Sequence, residues 1–204
     1  MVVTVSNQYG TGAVAIAQRV AGELGYDCVD RQLPVVVAKR LGIAPEDVEA
    51  NEDTARSFGE RWLESLERAT PELATSSTGR PFDETLLQAV QDAVRESASR
   101  GSAVIVGRGA GAILGRDPGV LRVFMHAPRE WRIERVMSAF EIERKTAEAE
   151  VDRIDRMRTA YLSDWYGLRF GDPANYDLCI DTSRLDEAQC AATIVSAVRA
   201  RSAR

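Results

Sequence analysis

The chain has 204 residues, of which 45% are hydrophobic and 28% are charged, and its formal net charge is −5 at pH 7. A chain of this length and composition favours a single globular domain, residues 1–204, which needs no disulfide bonds. The acidic balance argues against a dedicated binder of nucleic acid or of an anionic membrane, because such proteins need basic surfaces.

Cysteine and histidine usage predicts neither a disulfide nor a metal site. Cys28, Cys179 and Cys190 lack the spacing of metal ligands, and the first two lie in apolar, strand-like runs where buried, inert thiols are expected. His126 is the single histidine, which argues against a Ser-His-Asp site or a multi-histidine metal site. No apolar run suits a membrane span and no leader is visible, so we expect a cytoplasmic location.

The predicted elements alternate between strands and helices. Short, apolar, β-branched runs indicate buried strands, and apolar residues at helical spacing indicate helices. In chain order the pattern predicts strand 2–6, helix 13–24, strand 26–29, helices near 32–40 and 45–69, a loop at 70–82, a helix from Asp83 towards Arg100, strands 103–106 and 121–125, helices near 129–139 and 143–165, strand 178–181 and a closing helix near 187–199.

This alternation predicts an α/β fold in which a parallel sheet is covered on both faces by helices. In such sheets, ligands bind beyond the carboxyl ends of the strands. Four polar or glycine-containing segments fall at those ends: 7–12, 30–31, 107–108 and 126–127. We therefore expect a ligand site at that edge of the sheet.

The first strand leads through a glycine turn into the first helix. Val3 to Ala17 reads V-T-V-S-N-Q-Y-G-T-G-A-V-A-I-A, with Gly10 and Gly12 where a phosphate-binding loop has its glycines. Free N–H groups and the helix dipole bind anions there without any side chain. The usual lysine and Ser or Thr are replaced by Ala-Val-Ala at 13–15. Two interpretations stay open: a phosphate loop without its charge, and a plain turn.

Two other strand ends carry charged residues. Arg108 follows an apolar strand between Gly107 and Gly109, and a guanidinium there is either a salt-bridged surface group or a clamp for a phosphate. Asp30 ends the second predicted strand. It either binds a substrate hydroxyl or takes part in proton transfer, or it caps the next helix. His126 is interpreted as structural.

The long helix near the C-terminus carries the run R-I-D-R-M-R. It pairs Asp155 with Arg158 and Arg153 with Arg156 on shared faces. Such a helix is either exposed and stabilised by ion pairs, or a lid that brings arginines onto a phosphoryl group in transfer. The aromatic run at 161–167 fits a hinge that packs the lid, or a surface through which a homodimer forms.

Several segments together resemble the cytidylate kinase-like family of P-loop nucleoside monophosphate kinases. They are V-T-V-S-N-Q-Y-G-T-G, Y-D-C-V-D-R, V-I-V-G-R-G-A, L-R-V-F-M-H-A-P-R-E-W-R-I-E-R-V-M, R-I-D-R-M-R-T-A-Y and G-D-P-A-N-Y-D-L-C-I-D-T-S-R-L. The last is the most specific. The resemblance covers nearly the whole chain and implies a three-layer fold with a five-stranded parallel sheet, a phosphate loop at 6–13, a variable loop at 70–82 and a helical lid at about 129–170.

The resemblance also implies roles for individual residues. Residues expected to act in phosphoryl transfer are Arg108, Arg132, Arg156 and Arg158. Residues expected to bind the acceptor nucleotide are Asp30, Arg31, Arg108, Asp155 and Arg158. Residues expected to hold the phosphates of ATP are Tyr9, Gly10, Thr11, Gly12 and Ala13. Kinases of this kind use ATP and Mg²⁺ to phosphorylate CMP or dCMP; no metal-ligating side chain is assigned.

Three functions follow from these observations. The first is a kinase that transfers a phosphoryl group from ATP to a nucleoside monophosphate. The second is a regulatory module that binds a nucleotide or another phosphate without transferring it, as the missing lysine and hydroxyl suggest. The third is a self-associating structural protein that keeps the fold without a ligand.

Overall fold

The computed structural model describes residues 1–29 and 80–202, and for residues 80–86 only the backbone. Asp30, Arg31, the helices predicted near 32–40 and 45–69, and residues 70–79 of the predicted loop lie outside the described residues. None of the described helices combines the length and the hydropathy that crossing a bilayer requires.

The described elements alternate in the predicted order. They are β1 (Val2–Asn7), α1 (Ala13–Leu24), β2 (Asp27–Val29), α2 (Arg80–Ser99), β3 (Ala103–Val106), α3 (Ala110–Leu114), β4 (Val120–His126), α4 (Arg129–Phe140), α5 (Arg144–Tyr166), a 3₁₀ turn (Pro173–Asn175), β5 (Leu178–Asp181) and α6 (Glu187–Ser202).

The five strands form one parallel sheet in the order β2-β3-β1-β4-β5. β1 is central: Val5 pairs with Val106 of β3 on one side and with Val123 of β4 on the other. The predicted five-stranded parallel α/β sheet is therefore confirmed. The ends of β1, β3 and β4 bring the segments after Asn7, Val106 and His126 to the same edge.

Helices cover both faces of the sheet because the strand side chains alternate. Val3 and Val5 of β1 point to the face covered by α1 and α6, whereas Val2 points to the face covered by α2 and α3. A third apolar cluster joins α4 and α5 and includes Tyr9 from the segment after β1. The helices of the predicted lid therefore pack directly on the predicted phosphate loop.

Some local predictions differ from the structure. Helix α2 begins at Arg80, before its predicted start at Asp83, so residues 80–82 of the predicted loop belong to the helix. The short helix α3 and the 3₁₀ turn were not predicted. Cys179, predicted to be buried, is exposed. It lies on the edge strand β5, where alternation buries Ile180 and turns Cys179 to the opposite face.

Arg122 and Asp177 form an ion pair that anchors the chain just before β5. Arg122 on β4 has a side chain only 9% exposed, and its Nη2 and Nε donate to the two carboxylate oxygens of Asp177 at 2.8 and 3.2 Å. The backbone N–H of Arg122 donates to the same carboxylate at 2.9 Å. These hydrogen bonds hold the pKa of Asp177 below its ordinary value.

We expect Asp177→Asn to lower the free energy of unfolding by about 2 kcal/mol at neutral pH, because it leaves a buried guanidinium without its carboxylate. Since folding lowers the pKa of Asp177, its contribution is complete above about pH 3.9 and disappears as the pH falls through the folded-state value. Urea unfolding from pH 7 to pH 3 measures the difference. Asp92→Asn, at an exposed position of α2, is the control. Equal stability of D177N and wild type at pH 7 would show that the Arg122–Asp177 pair does not stabilise the fold.

Candidate functional site

The segment between β1 and α1 has the backbone of an anion-binding loop. Gly10 and Gly12 have φ of +83° and +75°, which only glycine adopts without strain. Gly12 stands at the N-terminus of α1, where no described side chain caps the helix. The first N–H groups of α1 and the positive end of its dipole are thus presented at the edge of the sheet.

Side chains inside the loop fix its shape. The Thr11 hydroxyl donates to the Gln8 carbonyl at 2.9 Å, and Thr11 is only 1% exposed. The Gln8 side-chain oxygen accepts from the N–H of Ala127, which ties the loop to the segment after β4. Since the hydroxyl of Thr11 is buried and engaged, it serves the loop itself.

An ion pair from the two lid helices holds Tyr9 on both sides. The Tyr9 N–H donates to Oδ1 of Asp155 on α5 at 2.9 Å, and the Tyr9 carbonyl accepts from Nη1 of Arg132 on α4 at 2.9 Å. The same Nη1 lies 2.7 Å from Oδ2 of Asp155, and Nε of Arg132 donates to the Ala127 carbonyl. Arg132 is only 5% exposed, so in this arrangement it positions the loop.

Arg158 and Arg156 lie on different sides of α5. Nη1 of Arg158 donates at 2.7 Å to the carbonyl of Asn7, the last residue of β1 and part of the predicted phosphate loop. Arg156 is exposed. The pKa of Asp152 is lowered mainly by the hydrogen bond from Arg129, and the charge of nearby Arg156 lowers it further. Of the predicted lid residues, Asp155 and Arg158 therefore reach the loop, whereas Arg156 faces outward. Contact of any of them with a substrate stays a prediction.

Arg108 lies at the end of β3 in a left-handed backbone conformation. Its φ is +59°, and Gly107 and Gly109 on either side have φ of +71° and +66°. A Cβ on Gly109 would lie 3.0 to 3.1 Å from the rings of Tyr166 and Tyr161 on α5. The three-residue turn thus packs closely on aromatic side chains, and Arg108 is held half-buried between β3 and the lid.

Tyr161 and Tyr166 support this turn. Their hydroxyls lie 3.2 Å apart, and the Tyr161 hydroxyl lies 3.5 Å from the Arg108 carbonyl. Burial raises the pKa of Tyr161, so it stays a neutral phenol. The end of α5 is therefore fixed against the strand end that carries Arg108.

A cavity of about 440 Å³ opens beside the loop, within the size range of small-molecule sites. It lies between α4, the start of α1 and the segment that joins β5 to α6. The residues that line it are Thr11, Ile16, Trp131, Arg135 and Thr182 to Glu187. In the segment after β5, the N–H and hydroxyl of Ser183 donate to Asp181 and lower the pKa of that carboxyl.

The sequence predictions missed the cavity and the position of Arg135 in it. Trp131 and Arg135 are four residues apart on α4, so they share a face, and Nη2 of Arg135 lies 2.5 Å from Glu187 Oε1. The signal available in the sequence was the i, i+4 spacing of Trp131 and Arg135 on the helix that follows β4, which could have indicated that the two side chains act together. In the described residues, no cluster of three or more His, Cys, Asp or Glu side chains could hold a metal ion.

Comparisons of the sequence with known proteins gave matches. A family model described as the cytidylate kinase-like family matches residues 2–184. A cytidylate kinase from Methanopyrus kandleri is 28% identical over 112 residues, 51% of this chain and 58% of that protein, so the chain spans little more than half of that enzyme.

Solved structures share the fold. A protein of uncharacterized function from Eubacterium ventriosum superposes with a TM-score of 0.67 at 18% identity, with 98% of each chain covered. A shikimate kinase from Bacteroides thetaiotaomicron superposes with a TM-score of 0.54 at 12% identity, covering 98% of this chain and 96% of that one. At these identities the likeness concerns the fold alone.

We expect Gly10→Ala to destabilise the protein by about 2 kcal/mol. The alanine would have to adopt a left-handed φ, and its Cβ would lie 2.9 Å from the carbonyl oxygen of Arg132. Gly22→Ala is the matched control. Gly22 lies inside α1 with no atom within 4 Å of an added Cβ, so we expect a gain of about 0.5 to 1 kcal/mol. Urea unfolding measures both, and a neutral G10A would show that α4 does not rest on the loop as described.

Proposed function

The chain belongs to the cytidylate kinase-like family, and from this premise we propose that it binds a nucleoside triphosphate at the loop after β1 and transfers its terminal phosphoryl group to a nucleoside monophosphate. The observation that carries the proposal is the loop itself. Gly10 and Gly12 wrap an uncapped helix N-terminus beside a cavity large enough for a nucleotide base. Backbone N–H groups in this arrangement bind phosphate oxygens.

The donor site would use Tyr9 to Ala13 for the phosphates of ATP, as the family resemblance implies. ATP supplies the phosphoryl group that is transferred. The chain's contribution is to hold the loop rigid through Arg132 and Asp155, so that the N–H groups are aligned before a ligand arrives. Such preorganisation matters because phosphoryl transfer relies on positioning and on electrostatic stabilisation.

The acceptor would bind near Arg108. Its guanidinium is suited to a phosphate, and its backbone is fixed by the glycines on either side and by Tyr161 and Tyr166. The family and the Methanopyrus relative favour CMP or dCMP as the acceptor. In this proposal Asp30 and Arg31 complete the acceptor site, and Arg156 and Arg158 act on the transferring group from the lid.

The loop does not fit a magnesium ion held by the protein. The Thr11 hydroxyl is buried and donates to Gln8, and Val14 and Ala15 have no hydroxyl. Mg²⁺ keeps several waters and is commonly held by substrate phosphates. We therefore assign no step to a loop-bound ion.

One observation favours a second candidate, a module that binds a nucleotide without transferring it. Ala13, the residue after the second glycine and the first of α1, is 3% exposed and packs in the core. The residues from Gln8 to Gly12 include no Lys or Arg, so the loop carries no cation of its own. A single cation on the transferring phosphate can change the rate by several orders of magnitude. The cytoplasmic location and the homodimer remain predictions under either candidate.

We expect the purified protein to release ADP when ATP, Mg²⁺ and CMP or dCMP are all present. Arg108→Asn removes the guanidinium but tolerates a positive φ, so we expect kcat/KM for the acceptor to fall by about a hundredfold or more with ATP binding unchanged. Coupled ADP release measures turnover, and calorimetry measures ATP binding. Arg95→Gln, an exposed change on α2, is the control.

The outcomes separate the two candidates. Saturable ATP binding without turnover for any monophosphate would favour the non-transferring module. Absence of ATP binding up to millimolar concentration would contradict both candidates for the loop. Full activity of R108N would show that the acceptor does not use Arg108.

A further inference from the structure

The described residues place a guanidinium directly over the loop that lacks a lysine. An ideal Cβ on Gly12 would lie 2.5 Å from Nη2 of Arg135 and 3.0 Å from its Cζ. Arg135 belongs to α4, more than one hundred residues along the chain, yet it occupies the space against the N-terminus of α1. Gly12 is therefore needed for two reasons, its φ of +75° and the room that it leaves for Arg135.

Two contacts hold Arg135 at this position. Its guanidinium carbon lies 5.5 Å from the centre of the Trp131 ring, and its Nη2 donates to Oε1 of Glu187 at 2.5 Å. All three residues line the 440 Å³ cavity. The side chains of Arg135 and Glu187 are 37% and 45% exposed, so the pair is open to a ligand that enters the cavity.

The electrostatics of this position favour an anion. A cation over the N-terminus of α1 meets the positive end of the helix dipole, which is unfavourable unless an anion is present. Glu187 supplies that anion. It is also the first residue of α6, where its carboxylate lies near the positive end of a second dipole. Glu187 therefore keeps a favourable partner when Arg135 turns to another anion.

We propose that Arg135 supplies the cation that the phosphate loop lacks and binds the polyphosphate chain of the nucleotide over Gly12, and that Glu187 holds Arg135 until the phosphates replace it. The inference rests on the proposed function, since it concerns the same donor site. Arg135 exchanges one anionic partner for another and no covalent bond changes. Glu187 thereby competes with the phosphates for Arg135 and lowers the affinity of the site for ATP.

Two charge-neutralising variants test the exchange. Arg135→Gln should weaken ATP binding by about tenfold or more and make the affinity less dependent on NaCl, because a charged contact to phosphate is lost. Glu187→Gln should tighten ATP binding by about threefold or more, because Arg135 no longer has to leave a carboxylate. Neither change should alter adenosine binding by more than about twofold. Calorimetric titration with ATP and with adenosine measures all of these.

An exposed ion pair on the neighbouring helix provides matched controls. Arg19 and Glu23 are paired on the surface of α1. Arg19→Gln and Glu23→Gln change the net charge as the test variants do and should leave ATP affinity within about twofold of wild type. Exposed ion pairs contribute little to folding, so all four variants should fold, which thermal unfolding checks.

The results distinguish this inference from the proposed function. If wild type binds ATP and R135Q binds it equally well, the inference is wrong and the proposed donor site stands. If E187Q binds ATP and wild type does not, Glu187 holds the site closed and the inference is supported. If neither protein binds ATP up to millimolar concentration, the donor site and the inference both fail.

Discussion

The site depends on the buried contact between Arg132, Asp155 and Tyr9. Arg132 is nearly inaccessible to water, and a buried guanidinium is tolerated only when it is paired and hydrogen-bonded. Asp155 supplies the charge, and the carbonyls of Tyr9 and Ala127 supply acceptors. The loop conformation and the docking of α4 and α5 are therefore one cooperative unit, because loss of any member leaves an unpaired charge or a buried N–H without its acceptor.

This unit explains how two arginines on the same helix contact different parts of the site. Arg132 and Arg135 are three residues apart on α4. Arg132 is directed inward to the backbone of the loop, whereas Arg135 is directed to the cavity and to Gly12. At the other end of the site, Tyr161 and Tyr166 fix the turn that carries Arg108. The same two helices thus position both the loop after β1 and the turn at the end of β3.

The sequence predicted the sheet and most helix bounds because apolar periodicity reports directly on burial. It predicted α1 and β5 with their observed limits. The structure brings Arg132, Asp155 and Arg158, which the family resemblance grouped, together at the loop after β1, and their contact with a ligand stays a prediction. The sequence did not predict that the three contact loop backbone, since periodicity gives a helix face but not the atom that a side chain reaches. Cys179 was misplaced because an apolar run does not show that its strand lies at a sheet edge.

Arg135 shows what a motif-based interpretation of the loop omits. A phosphate loop with its own lysine carries charge and backbone on one segment, so either is visible in a short motif. Here Ala13 is buried and Arg135 of α4 brings a cation over Gly12, so the charge depends on tertiary packing. The position of α4 is fixed by the three hydrogen bonds of Arg132, one of them to the loop itself. The buried Arg132–Asp155 pair therefore controls both the shape of the loop and the place of the charge above it.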